Sequence, residues 1–427
     1  MVWVMILIFF GLVLAGVPVG YCLAVASLFG LWVFDLPVMM LIQKFHSGIN
    51  SFAFLAIPFF VLAGALMETG GISNRIVNIA KGMVGHIRGG LGMVVVISEI
   101  LFSGISGSSV ADASAIGGIM FPTMEKFGYS KEHSVSIITA ASGMGILIPP
   151  CLVMIILASI ADLSVAALFL AGFLPGFFMG LCLMGLIYYQ ARKGILPGGE
   201  QAFNVKELWR DTVRGIIPLL MPVIIFGGIL GGIATATEVA VFAVIYAVIV
   251  GVMLYKEIKL SDLPKILTQT VMVTGSTMWL TGGSMIFAWI LVNKRVPEMV
   301  GNMILPFTNN PYVFLVIAIF VFILGAAILD GLPALLIFYP ILNPIALKLG
   351  VHPIHFATVA VATCGIGLIF PPIGLLLIVV CSIAKASLSS VLKPMIPYIA
   401  ILIISLIIVA FNPWYVLLLP KLALPGF

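Results

Sequence analysis

Apolar runs of helical length follow one another along nearly the whole chain, parted only by short polar connections. That pattern constrains the fold more than any motif does. Across 427 residues there are 20 Lys and Arg and 15 Asp and Glu, so 8% of side chains are charged. An ordinary soluble domain carries about 25%, and a surface facing water cannot be covered with so few. The runs do not alternate as barrel strands would over about ten residues. The sequence therefore describes an all-α polytopic membrane protein.

The five cysteines lie scattered in apolar stretches with no CxxC spacing and read as small buried residues. The first residues, Met-Val-Trp-Val-Met-Ile, lack a basic segment and read as a retained helix. Residues 2–34 fit either one long kinked helix or two short ones broken at Gly16-Val17-Pro18. No phosphate-binding Walker loop and no HExxH pattern is present, which argues against ATP hydrolysis and metal catalysis. The expectation is a protein that is not an enzyme.

An internal repeat divides the chain. Residues 121–150 align without gaps to residues 343–372 at a constant offset of 222, with nine of thirty positions identical. Each copy ends in Gly-x-Gly-x-x-x-Pro-Pro: Gly143 and Gly145 before Pro149-Pro150, Gly365 and Gly367 before Pro371-Pro372. Paired prolines remove backbone donors and glycines permit an unwound turn. Freed carbonyls at membrane depth persist only where protein or ions occupy them. Two matching interruptions in two halves are a pointer to a transporter site at the midplane.

Upstream of each break lies a polar tip between two short apolar arms. Arms 91–104 and 107–121 flank Ser103-Gly-Ile-Ser106-Gly-Ser108-Ser109, and arms 312–325 and 332–343 flank Leu329-Asp330-Gly331. The first pair, 14 and 15 residues long, reaches about 21–22 Å, short of a hydrocarbon core of about 30 Å. Re-entrant hairpins are the expectation. If both are re-entrant from opposite faces, 15 basic residues fall inside and 5 outside; counting them as full crossings gives at best 13 to 7. The positive-inside rule thus favours an inverted repeat. It also accounts for the net charge of +5 without a nucleic-acid partner.

The resulting organisation has N-terminal scaffold helices over 1–51 and a first inverted repeat over 52–189. The latter holds the hairpin at 91–121 and the broken helix at 143–150. A cytoplasmic linker follows over 190–214, with a short interfacial helix at 205–214. The second half, 215–427, holds the hairpin at 312–343 and the broken helix at 365–372.

Asp330 and Asp112 are the carboxylates at or beside the tips. An acid at the centre of a membrane helix costs about 2.5–3.5 kcal/mol on insertion scales, so each is a candidate site residue. For Asp112 a capping role beside Ser106, Ser108 and Ser109 is an equal reading. Glu99, also isolated among apolar residues, reads either as packing or as a coupling group. Hydroxyls beside freed carbonyls suit a hard cation, and helix N-termini at the tips suit an anion. Arg295 on the outer side fits either an anionic substrate or a lipid headgroup.

At the tips and breaks the chain resembles the large membrane subunit of TRAP transporters, the DctM family. The resemblance runs over essentially the whole chain. It is most specific in 102–117 (FSGISGSSVADASAIG), 145–150 (GILIPP), 329–333 (LDGLP) and 367–372 (GLIFPP). It implies an elevator-type transporter of the bacterial inner membrane that takes up an organic acid with Na⁺. In length and pattern it is similar to the stand-alone sialic-acid version. The partners it implies are a small four-helix membrane subunit and a periplasmic substrate-binding protein. Carried over, one Na⁺ would lie among Ser103, Ser106 and Gly145, and a second among Gly325, Asp330, Thr363 and Gly367. Substrate would sit near Ser108 and Ser109 between the tips, within reach of Asp330 and Arg295. A self-sufficient dicarboxylate carrier of similar hairpin design is the alternative.

Overall fold

A computed structural model describes residues 1–198, 205–306 and 309–424, and no strand occurs among them. The first half contains α1 (Val2–Leu14), α2 (Val19–Val33), α3 (Met39–Ile49), α4 (Ala56–Thr69), α5 (Ile72–Val84), α6 (Gly90–Ser106), α7 (Ser109–Lys126), α8 (Lys131–Gly145), α9 (Leu152–Ile160) and α10 (Val165–Arg192). The second contains α11 (Val205–Leu230), α12 (Ala236–Val248), α13 (Leu263–Asn293), α14 (Val296–Ile304), α15 (Pro311–Leu329), α16 (Gly331–Lys348), α17 (Pro353–Leu368), α18 (Leu375–Ala384) and α19 (Leu388–Phe411), closed by α20 (Pro413–Ala423). Among the described residues, seven helical stretches are long and apolar enough to cross a membrane.

The repeat extends well beyond the thirty aligned residues. Helices α6 to α10 begin between 221 and 223 residues before α15 to α19, and α7 and α16 match at both ends. Packing follows the same relation but crosses between halves: α2 packs on α13, and α12 on α4. Helices α4 and α13 also touch each other, as do α8 and α17. Gly143 meets its own equivalent there, because a Cβ on it would lie 3.0 Å from the Gly365 carbonyl oxygen. A pseudo-two-fold axis therefore passes between the two broken helices. Glycine at both positions lets the backbones approach this closely, as small residues do between membrane helices.

Residues 2–34 form two helices rather than one. Gly16, at φ 85°, turns the chain, and α1 folds back on α2 with Met5 packed over Gly30. At 13 and 15 residues they reach only about 20 and 22 Å. They join α13, the tip-side end of α15 and the middle of α16 in an apolar cluster built on Phe9, Leu23, Phe287, Leu329 and Ile337. The N-terminal helices are thus packed directly against the second half.

Two expectations need correction. The hairpin arms are longer than the apolar stretches suggested: α6, α7, α15 and α16 have 17, 18, 19 and 18 residues, about 26–28 Å each. A helix satisfies its own backbone and runs on through serines and lysines where hydropathy falls. Arm length therefore does not mark the hairpins as re-entrant: both arms of the second, α15 and α16, are long and apolar enough to cross a membrane, while Leu329 and Gly331 at its tip are buried. Likewise 205–214 is not a separate interfacial helix but the start of the 26-residue α11. Its prolines, Pro218 and Pro222, lie inside the helix without ending it. Linker residues 199–204 lie outside the described residues.

Candidate functional site: two hairpin tips and two helix breaks

The first tip is a closed network of side-chain oxygens. Helix α6 ends at Gly107, whose φ of 67° is left-handed and free of strain only for glycine. A Cβ there would also lie 3.1 Å from the Pro150 carbonyl oxygen, so the tip sits directly on the first break. Ser108 caps α7, accepting from the Ala111 amide at 3.5 Å. Asp112, one turn into α7 and buried, accepts from Ser103 Oγ at 2.5 Å. Its other oxygen accepts a hydrogen bond from Ser106 Oγ. Both hydroxyl protons are thereby committed to the carboxylate; Ser106 Oγ also accepts from the Ser108 amide at 3.1 Å, so one of its lone pairs and those of Ser103 Oγ are left for another partner. Across from them is Gly145, where a Cβ would run into the Ser103 hydroxyl. About one turn before these residues on each helix, the Ser142 hydroxyl lies 2.5 Å from Glu99 Oε1 and 2.9 Å from the Ile138 carbonyl oxygen.

The second tip is built differently. Asp330 separates α15 from α16 at φ 82°, ψ 159°, a region occupied almost only by glycine. Holding an aspartate there costs on the order of 1–3 kcal/mol. The carboxylate accepts from the Gly331 amide at 2.6 Å and caps α16. Around it the packing is apolar: a Cβ on Gly331 would lie 3.5 Å from Cys364 and from Leu368 on the second broken helix. Both breaks contain a cis peptide bond, Pro149–Pro150 and Pro371–Pro372.

The two tips meet. A cavity of 160 Å³ is lined by Gly107, Ser108 and Ser109 from the first tip and by Asp330, Gly331 and Leu332 from the second, with Ile146 and Leu368 from the broken helices. Thr277 of α13 closes it and, with Asp330 and Leu332, continues into a second cavity of 570 Å³. No lysine, arginine or histidine is among the described residues lining either cavity. The N-terminal ends of α7 and α16 supply positive dipole ends.

The structure thus brings Ser103, Ser106 and Gly145 together in one place and Ser108, Ser109 and Asp330 in another. Gly325, Thr363 and Gly367 do not gather into a comparable oxygen cluster. The Gly325 position faces Phe338 and Ala334, and Gly367 faces Ala326 and the Ile323 carbonyl. The Thr363 hydroxyl bonds back to the Val359 carbonyl at 2.6 Å. Arg295, expected as a substrate contact, is exposed at the start of α14 and lines neither cavity. Charge alone singled it out, and charge does not specify the turn that carries it away from the tips. Asp112 was legible as an acid beside a tip, but its hydrogen bonds to serines six and nine residues earlier follow from closure of the hairpin. Glu99 and Ser142, 43 residues apart, had no local signal linking them.

Comparison with known proteins agrees with this architecture. Residues 6–415 match the family model described as tripartite ATP-independent periplasmic transporter, DctM component. The chain is 40% identical to the Salmonella typhimurium protein YgiK over 98% of this chain and 97% of that one. It is 35% identical to YiaN of Escherichia coli, a 2,3-diketo-L-gulonate TRAP transporter large permease, over 97% and 98%. It is 34% identical to SiaM of Vibrio cholerae, a sialic acid TRAP transporter large permease, over 97% of each chain. The crystal structure of the YdaH transporter of Alcanivorax borkumensis shares the fold, with a TM-score of 0.65 over 87% of both chains at 14% identity. With two hairpin tips meeting at two helix breaks inside an apolar bundle, the chain belongs to the DctM component family of TRAP transporters, multi-pass permeases of the bacterial inner membrane.

Proposed function

We propose that this chain is the large permease of a three-part transporter that takes up an organic acid together with Na⁺, by an elevator movement of the hairpin-bearing helices. The observation that carries this reading is the shared cavity between the tips, lined by uncharged oxygens and Asp330 and lacking a basic side chain. A carboxylate entering such a space needs cations as counter-charge, and the lone pairs of Ser103 and Ser106, held by Asp112, suit a hard ion. Ser103, Ser106 and Gly145 would hold one Na⁺. A second, near Asp330 with Gly325, Thr363 and Gly367, would draw on backbone carbonyls more than on hydroxyls. The α7 and α16 N-termini would meet the substrate carboxylate beside Ser108 and Ser109.

The energetics agree in sign. A unit charge crossing 100 mV is worth about 2.3 kcal/mol. Two Na⁺ with one monoanion carry net positive charge inward, so a negative-inside potential drives uptake. The partners follow the family: a small membrane subunit, here taken as four-helical, and a periplasmic binding protein that delivers the acid. Sialic acid, 2,3-diketo-L-gulonate and C4-dicarboxylates are substrates named for relatives of nearly equal identity, so identity does not choose among them.

The test is uptake into proteoliposomes containing this chain and its small subunit, with binding protein and an inward Na⁺ gradient each supplied or withheld. Uptake that needs both supports the reading. Uptake without the binding protein supports a self-sufficient carrier, and uptake indifferent to Na⁺ removes the coupling.

A further inference from the structure

The larger cavity reaches away from the hairpins and is not explained by ion or carboxylate binding. It lies between the second tip and the faces of α2 and α13, joined to the tip cavity through Thr277, Asp330 and Leu332. Its far wall holds an aromatic pair, Tyr21 and Trp279, with ring centroids 5.6 Å apart. Trp279 is held by close packing, since a Cβ on Gly20 would lie 2.5 Å from its ring. The Ser276 hydroxyl donates to the Val273 carbonyl at 3.0 Å and keeps its lone pairs. The Thr277 side chain lies at the neck between the cavities and lines both.

We propose that the α2–α13 face is a specificity subsite, with Thr277, Ser276, Tyr21 and Trp279 reading the uncharged, hydroxylated body of a monocarboxylate whose carboxylate lies at the tips. This rests on the reading of the tips as an organic-acid site and names the class of acid. Apolar and aromatic walls with a few convergent hydroxyls fit a neutral polyol or sugar body. A second carboxylate fits poorly. The Tyr21, Ser276 and Trp279 side of this space is exposed, so the cost of a second carboxylate is repulsion from Asp330 with no basic side chain to offset it. The geometry therefore selects sugar acids over short dicarboxylates. It does so on α2 and α13, outside both hairpins.

Binding measured directly avoids any filtering by a binding protein. The chain with its small subunit, in lipid nanodiscs, is titrated by thermal shift with sialic acid, gluconate and succinate, with and without Na⁺. The expected result is Na⁺-dependent stabilisation by one or both hydroxylated monocarboxylates and little by succinate. Thr277→Val, close in shape, weakens that binding by about three- to tenfold, the worth of one hydrogen bond, and leaves stabilisation by Na⁺ alone intact. Trp279→Leu does the same, and its Na⁺ response reports whether it has folded. Stabilisation by succinate equal to or above that by the sugar acids overturns the proposal, as does sugar-acid binding unchanged in Thr277→Val. If none of the three acids stabilises the protein, the organic-acid reading of the tips falls with it.

Discussion

At five positions 222 residues apart the two tips differ in chemistry while sharing a backbone path. Glu99, Ser103, Ser106, Asp112 and Ser142 on the first side correspond to Val321, Gly325, Ile328, Ala334 and Cys364 on the second. The first tip is held by hydrogen bonds among buried side chains. The second is held by apolar packing and by one aspartate in a glycine-like conformation. The paired prolines, the capping residue at Ser108 or Asp330 and the lengths of α7 and α16 survived the divergence. The supply of oxygens did not. Two tips derived from one duplication need not offer the same oxygens, because the break is a backbone property and the polar lining is a side-chain one.

The strongest way to break this comparison is to transplant the acid. Ala334→Asp places a carboxylate at a fully buried position where the equivalents of Ser103 and Ser106 are Gly325 and Ile328. Without donors it should cost several kcal/mol, seen as loss of monodisperse protein in detergent; normal stability would mean that the second tip holds donors after all. Next is Asp112→Ala, which leaves two buried hydroxyls without their acceptor. A loss of about 3 kcal/mol is expected, with Na⁺ activation of uptake weakened. Unchanged Na⁺ activation would remove the first tip from the ion site.

Asp330 gives a smaller and sign-dependent effect. Asp330→Ala keeps the unfavourable φ and loses the cap, so its melting temperature should fall. Asp330→Gly relieves strain of about 1–3 kcal/mol and should melt at or above wild type, while uptake falls in both variants. Equal melting of the two would show that backbone conformation does not set stability at this tip. The smallest effect is expected for Thr363→Val, whose hydroxyl serves only a bond to the preceding turn and is worth under about 1 kcal/mol. A large loss of Na⁺ dependence in this variant would make the Thr363 hydroxyl itself a ligand and narrow the difference between the tips.

Much of the site's location was legible before the fold. Gly143, Gly145, Pro149 and Pro150, and their counterparts 222 residues later, marked both breaks because glycine and proline act on the local backbone. The tips were legible as polar interruptions. Arm lengths were not, since helices α6, α7, α15 and α16 run past the apolar stretches. Ser103, Ser106 and Gly145 were grouped correctly in space. Arg295 was drawn to the substrate by its charge, and the bend between α13 and α14 leaves it exposed and outside the cavities.

The sequence by itself determined the membrane-helical class, the duplication and the points where helices break. Each depends on hydropathy or on backbone freedom within a few residues. Only the tertiary structure decided that α2 crosses to α13 and α12 to α4, and that the tips meet at one cavity. It alone decided that the Ser103 and Ser106 hydroxyls point at Asp112 and Ser142 at Glu99. Those outcomes depend on how each helix is rotated about its axis and how closely glycines let neighbours approach. In a chain that is apolar on most faces, hydrophobic periodicity does not fix that rotation; packing does.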